Sequence, residues 1–266
     1  MFRAFKIERF TPNPAWAKKF TPAGRQLLGA TSAAVRPQLD FLLGDSGAID
    51  GQTVQEDWFP QVDADVFLSH SHVDEELALI IAGWASETFG LRVFVDSAIW
   101  GSVADLLKVI DNKYCLNPGG ETYSYQARNG STSHVHMMLA TALAMMVDRT
   151  ECAWVLETKN SVTSRGAVSN TESPWLYSEL ATIHHVRRRT QEAHRSEKTK
   201  VAKAIREGAS ARLKVVYSVP LGSLTTLTHG TLDEWENAYA EHLPREHALD
   251  VLYRVAPERA LTEFQT

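Results

Sequence analysis

Two places in this 266-residue chain set reactive side chains inside apolar surroundings. The first is Ser69-His70-Ser71-His72, which follows the apolar run Val66-Phe67-Leu68. Hydroxyls and imidazoles grouped this way can ligate a metal, form a nucleophile, cap a helix or floor a ligand site. A metal site from His70, His72 and Asp74 lacks any further ligand at a helical or paired-cysteine spacing. A hydrolase serine on a strand-to-helix turn wants Gly-x-Ser-x-Gly, which is absent. Ser71-His72-Val73-Asp74 fits a capping pattern, with Asp in place of Glu. Capping accounts for one serine and leaves Ser69 and His70 unexplained. A ligand floor remains: helix-start amides and short polar side chains suited to a phosphate or a ribose.

The second place is Glu179, in "SPWLYSELATIHHVRRR". Ser173 is a good N-cap there, and Pro174 suits the first helical position. At about 100° per residue, Glu179 falls between Trp175 and Val186 on one side and Ile183, Leu176 and Leu180 on the other. A carboxylate in an apolar arc is costly unless it is paired or opens onto a cleft. Two meanings stay open: a structural glutamate that pairs with a basic residue or caps a neighbouring loop, and a catalytic or ligand-orienting acid.

The elements that must position these residues alternate between two periods. "ADVFLSH" (64–70), "LRVFVD" (91–96), "CAWVLE" (152–157) and "LKVVYSV" (213–219) read as buried strands. Leu77, Ile80, Ile81 and Trp84 recur at helical spacing, with Asp74, Glu75 and Glu76 at the positive end of the dipole and Gly90 after the last turn. Further helices are expected over 102–111, over 133–148 with Ser133 as N-cap, over 173–189 and over 231–243. Residues 112–133 and 158–172 read as loops. Residues 1–61 show no long period and read as an N-terminal extension, with a short helix near 31–43. Strand–helix alternation implies an α/β domain with a mostly parallel sheet, whose ligands bind beyond the carboxyl ends of the strands. The Ser69–His72 segment sits at such an end.

Composition narrows the partners. The chain is 44% hydrophobic and 22% charged, with net charge −5, so as a whole it is no polyanion binder. A basic stretch at 184–214 reads as a solvated helix, and nucleic acid is not expected. The Met137, Met138, Met145 and Met146 set reads as helix core. Cys115 and Cys152 make neither a disulfide framework nor a zinc pattern. No signal-peptide core or stretch of roughly 20 apolar residues is seen, so a cytoplasmic protein without a membrane span is expected.

Three segments, in order, resemble the signature regions of Toll/interleukin-1 receptor (TIR) domains: "DVFLSHSHVDE", "LRVFVDSAIWG" and "SPWLYSEL". They resemble that family's first strand and turn, its second strand and BB loop, and its Ser-x-Trp-x-x-x-Glu-Leu helix start. Asp96 and Gly101 match the loop; Ser173, Trp175, Glu179 and Leu180 match the helix. The resemblance spans about 62–245 within a domain running to 266.

The resemblance implies a flavodoxin-like three-layer fold with a five-stranded parallel sheet in the order 2-1-3-4-5. It implies an enzyme that cleaves NAD at the nicotinamide–ribose bond, giving ADP-ribose or a cyclic isomer, with NAD as substrate and no cofactor. Glu179 maps onto the catalytic acid. Ser69, His70 and Ser71 would line the ribose–phosphate side. The loop from Asp96 to Gly101 would cover the nucleotide, with Trp100 stacked on a base or at an assembly contact and Trp175 beside Glu179. Self-association, and a product that activates a separate effector in Thoeris-type antiphage defence, are implied in the same way. The insertion around 112–133 and the lengthened loop at 158–172 depart from the family pattern and bear on the product. Two other functions compete: a non-enzymatic adaptor and a nucleotide-binding sensor without turnover.

Overall fold

The computed structural model describes residues 1–32, 51–100, 103–165, 168–171, 173–196, 217–218, 221, 224–242 and 246–258. In chain order these hold strand β1 (Arg3–Glu8), helices α1 (Pro14–Ser32) and α2 (Gly51–Trp58), β2 (Val66–Ser69), and a 3-10 turn (His72–Asp74) leading into α3 (Glu75–Phe89). Next come β3 (Val93–Phe94), the short α4 (Asp96–Ile99), α5 (Val103–Tyr114), α6 (Tyr125–Arg149) and β4 (Cys152–Glu157). The chain continues through β5 (Thr163–Arg165), β6 (Val168–Thr171), α7 (Pro174–His185), α8 (Gln191–Ser196), β7 (Tyr217–Ser218), β8 (Thr225–Leu227), α9 (His229–His242) and α10 (Ala248–Val255).

Five strands form one sheet in the order β3-β2-β4-β1-β8, and every pairing is parallel. The strands are short and buried on both sides, as "VFLS" and "CAWVLE" require of a parallel sheet. Alternation along β2 sends Phe67 to one face and Val66 and Leu68 to the other. On the Phe67 face lie α2, α5, α6 and α7, joined through Trp58, Leu106, Val135 and Leu180. On the opposite face lie α1, α3, α9 and α10, joined through Phe20, Ile81, Trp235 and Leu252. The result is the helix–sheet–helix arrangement of a flavodoxin-like α/β fold.

The strand order corrects one expectation. Numbered along the chain, the sheet runs 3-2-4-1-5, not 2-1-3-4-5. The place beside β4 belongs to β1, whose register runs from Arg3 opposite Cys152 to Glu8 opposite Glu157. Residues 3–8 are therefore an interior strand and not part of an appended extension. Helix α1 is equally integral, because it crosses α3 at glycines. A Cβ on Gly83 would lie 2.4 Å from the Phe20 carbonyl oxygen, and one on Gly24 would lie 2.0 Å from that of Leu79. No side chain fits at either point.

Other differences have local causes. Of "LKVVYSV", the described residues Tyr217 and Ser218 pair antiparallel with β6 in a small separate sheet; the rest lies outside the described residues. Most of the helix expected near 31–43 also lies outside them. The supposed loop at 112–133 is mostly helix: α5 reaches Tyr114, and α6 starts at Tyr125 with Ser124 as its N-cap, the hydroxyl accepting from Ala127 N at 3.3 Å. Ser133 sits inside α6 and donates to Asn129 O at 2.8 Å. Helical pairing around Asn129, Gly130 and three neighbouring hydroxyl residues overrides their weak propensity. In the same helix Met146 is core, whereas Met137 and Met145 are exposed.

Candidate functional site

Ser69 ends β2, and strand alternation points it to the same face as Phe67, where α7 packs. Helix α7 starts as the sequence indicates, with the Ser173 hydroxyl accepting from Leu176 N at 3.2 Å and Pro174 in the first turn. Its buried residues are Leu176, Glu179, Leu180 and Ile183, so the carboxylate does lie inside the apolar arc. Ser69 Oγ donates to Glu179 Oε2. The strand end and the helix thus meet through a hydroxyl and an acid, both almost wholly buried.

Two more residues join from the neighbouring strand. Because β3 pairs with β2, the chain leaving β3 passes beside His70. His70 Nε2 lies 3.0 Å from Ser97 Oγ. His70 Nδ1 lies 3.4 Å from the Leu68 carbonyl oxygen and 3.5 Å from Asp96 Oδ1. That Asp96 oxygen is buried and has no hydrogen-bond partner among the described residues. Burial holds the Glu179 carboxyl well above the usual carboxylate range; the nearby Asp96 charge pushes the same way, and the Ser69 hydroxyl opposes both. The cluster therefore sets two acids close together, and Glu179 keeps its proton to higher pH than a free glutamate does. Asp96 and Ser97 are the cluster's half-exposed members.

Not every expected site residue belongs here. Ser71 is half-buried at the start of the 3-10 turn, and its hydroxyl makes no capping bond. The turn is closed instead by Asp74 N donating to Ser71 O at 2.7 Å. Asp74 accepts from Thr158 Oγ1 and from Asn160 Nδ2, the latter at 2.7 Å, and so ties the loop after β4 to the start of α3. His72 lies on the surface beside His70, their ring centroids 6.5 Å apart. Trp100, expected on an exposed loop face, is instead a core residue. It is 4% exposed, donates to Pro60 O at 2.9 Å, and packs edge-on against Phe59 and Phe94. An indole in an apolar wall needs one acceptor for its N–H, and Pro60 supplies it. Trp175 is half-buried with its ring edge-on to His136 of α6, 4.9 Å between centroids. Gly101 lies outside the described residues.

Sequence inspection passed over Ser97. Its only signal is its place after Asp96 in "FVDSAIW", one residue past the strand expected over 91–96. Among the described residues no group of His, Cys, Asp or Glu is placed to hold a metal ion, and no helix is long and apolar enough to cross a membrane. No family model, curated protein or solved structure matches the chain.

Proposed function

We propose that this chain cleaves the bond between nicotinamide and ribose in NAD, as the TIR enzymes that its motifs resemble do. The observation that carries the proposal is Glu179, a buried carboxyl at the carboxyl edge of a parallel sheet, held by Ser69 and crowded by Asp96. Such a group is poorly stabilised until positive charge arrives. The pyridinium of NAD brings one, and as the C1′–N bond breaks that charge passes to the ribose. A preorganised carboxylate in a water-poor site favours this charge more than water does. Nicotinamide leaves neutral, so no strong acid is required of His70. The remaining ADP-ribosyl group goes to water, or closes on itself to a cyclic isomer able to act as a defence signal for a separate effector. Self-association belongs to the same proposal.

Two observations weigh against the alternatives. Trp100 is buried, so its side chain is not presented for the loop contacts an adaptor would use. Three arginines in the described part of the basic stretch are occupied: Arg188 with Glu258, Arg189 with Asp148, and Arg195 with Glu151 and Asp250. A phosphate sensor would want them free.

Concentrated protein incubated with NAD should release nicotinamide, and Glu179→Gln should cut that release by at least about a hundredfold. No release from the wild type, or equal release from the variant, would remove the function.

A further inference from the structure

We infer that Ser97 is a second catalytic residue, a nucleophile that takes the ADP-ribosyl group onto its own Oγ. The inference rests on the NAD reading for its electrophile and on the geometry around His70 for its nucleophile.

Hydrogen-bond partners assign the His70 tautomer. Both oxygens near Nδ1, the Leu68 carbonyl and the Asp96 carboxylate, can only accept, so Nδ1 carries the proton. Nε2 then presents a lone pair, and its neighbour at 3.0 Å is the Ser97 hydroxyl, which must donate. His70 and Ser97 thus stand in the relation of base and nucleophile, with the Leu68 carbonyl oxygen accepting from Nδ1–H and the Asp96 carboxylate 3.5 Å away. Ser97 is half-exposed, whereas His70 is buried, so the hydroxyl is the member a substrate can reach.

The surroundings select the electrophile. An acyl group attacked here would develop an oxyanion beside the carboxyls of Asp96 and Glu179, and like charge disfavours it. A cationic sugar carbon is favoured by the same two groups. In the step, the C1′–N bond breaks and its electron pair leaves on nicotinamide, which becomes neutral. A lone pair on Ser97 Oγ forms the new C1′–O bond. The hydroxyl proton passes to His70 Nε2, and the imidazolium so formed faces Asp96 before releasing a proton to solvent. Water competes for the same carbon, so release of free ADP-ribose runs beside self-modification. The O-glycoside on serine lacks a pyridinium leaving group and accumulates.

The experiment is to incubate the full chain with NAD, assay nicotinamide, and read intact mass and peptide maps of the quenched protein. Wild type should gain one ADP-ribosyl group per chain on the peptide containing Ser97. Ser97→Ala should gain none there, Ser97→Thr should regain it, and His70→Asn should gain it at least about a hundredfold more slowly. Nicotinamide release without an adduct at Ser97 overturns the inference and leaves the NAD reading standing. So does an adduct that forms equally fast in His70→Asn or persists elsewhere in Ser97→Ala. Absence of both nicotinamide and adduct overturns the two together.

Discussion

Glu151 and Glu179 are both buried glutamates, 5% and 2% exposed, at opposite edges of the same sheet. Glu151 precedes β4 at the amino edge. Arg195 meets both of its oxygens, at 2.8 and 2.9 Å, and the Tyr253 hydroxyl adds a bond at 3.1 Å. Arg195 is held charged above its usual range, first by Asp250 and then by Glu151. Nearby, Arg92 donates to Asp65 on both oxygens and to Asp63. Glu179 follows the carboxyl ends of the strands and has a serine hydroxyl on one side and another acid on the other. Glu151 is neutralised by a paired arginine; Glu179 has no cation among its described contacts and is held toward its protonated form. Structure alone needs the first arrangement. The second costs stability and is informative for that reason.

The largest expected effect comes from breaking the carboxyl edge. Glu179→Gln should lower nicotinamide release by at least about a hundredfold while the domain stays folded. Its stability should move the other way. A carboxyl whose folded pKa is raised binds its proton more tightly folded than unfolded, so wild-type stability falls as pH rises from the ordinary glutamate range toward the raised value. The glutamine lacks that loss. Melting curves across pH should show the variant gaining on wild type with rising pH; a variant that melts far earlier at every pH would make Glu179 structural.

Breaking the amino edge should do the reverse. Glu151→Gln removes one of the two charged acceptors of Arg195 and should cost roughly 2 kcal/mol in denaturant unfolding, with NAD cleavage per folded molecule unchanged. A loss of cleavage beyond the unfolded fraction would tie the two edges together.

Ser69→Ala sharpens the contrast more gently. The hydroxyl lowers the Glu179 pKa, so its loss should shift the acidic limb of the pH–rate profile to higher pH and slow cleavage near neutrality about tenfold. An unshifted limb would mean that Glu179 is not the titrating group.

Trp100→Phe is the smallest. It removes the bond to Pro60 and should cost about 1 kcal/mol, with the KM for NAD unchanged. A raised KM would return Trp100 to the site.

How much of this was legible differs by residue. The polar residues after β2 and the acid inside the α7 arc stand out because they break a local period, and local periods are carried by neighbours in sequence. Helix signals at Gly90 and Ser173 were legible for the same reason, and both hold in the fold: Gly90 has a φ of 66° and Ser173 caps α7. Trp100 was not legible. Its burial depends on Phe59 and Pro60, some 40 positions earlier, and no local pattern reports them. Nor was Ser97, whose meaning comes from His70 across the β2–β3 pairing.

By itself, then, the sequence determined the alternation of strand and helix, the buried character of β2 and β4, and the presence of Glu179 where an apolar residue belongs. Side-chain period and helix-end chemistry depend on residues within a few positions of each other, so one chain suffices to read them. Only the tertiary structure decided that β1 enters the sheet beside β4, that Glu179 meets Ser69 near Asp96 with no cation among its described contacts, and that Ser97 lies beside His70. Those facts depend on which strands become neighbours. Strand pairing is chosen by the whole buried core, because a short strand such as "RAFKIE" fits beside several partners until packing on both faces selects one.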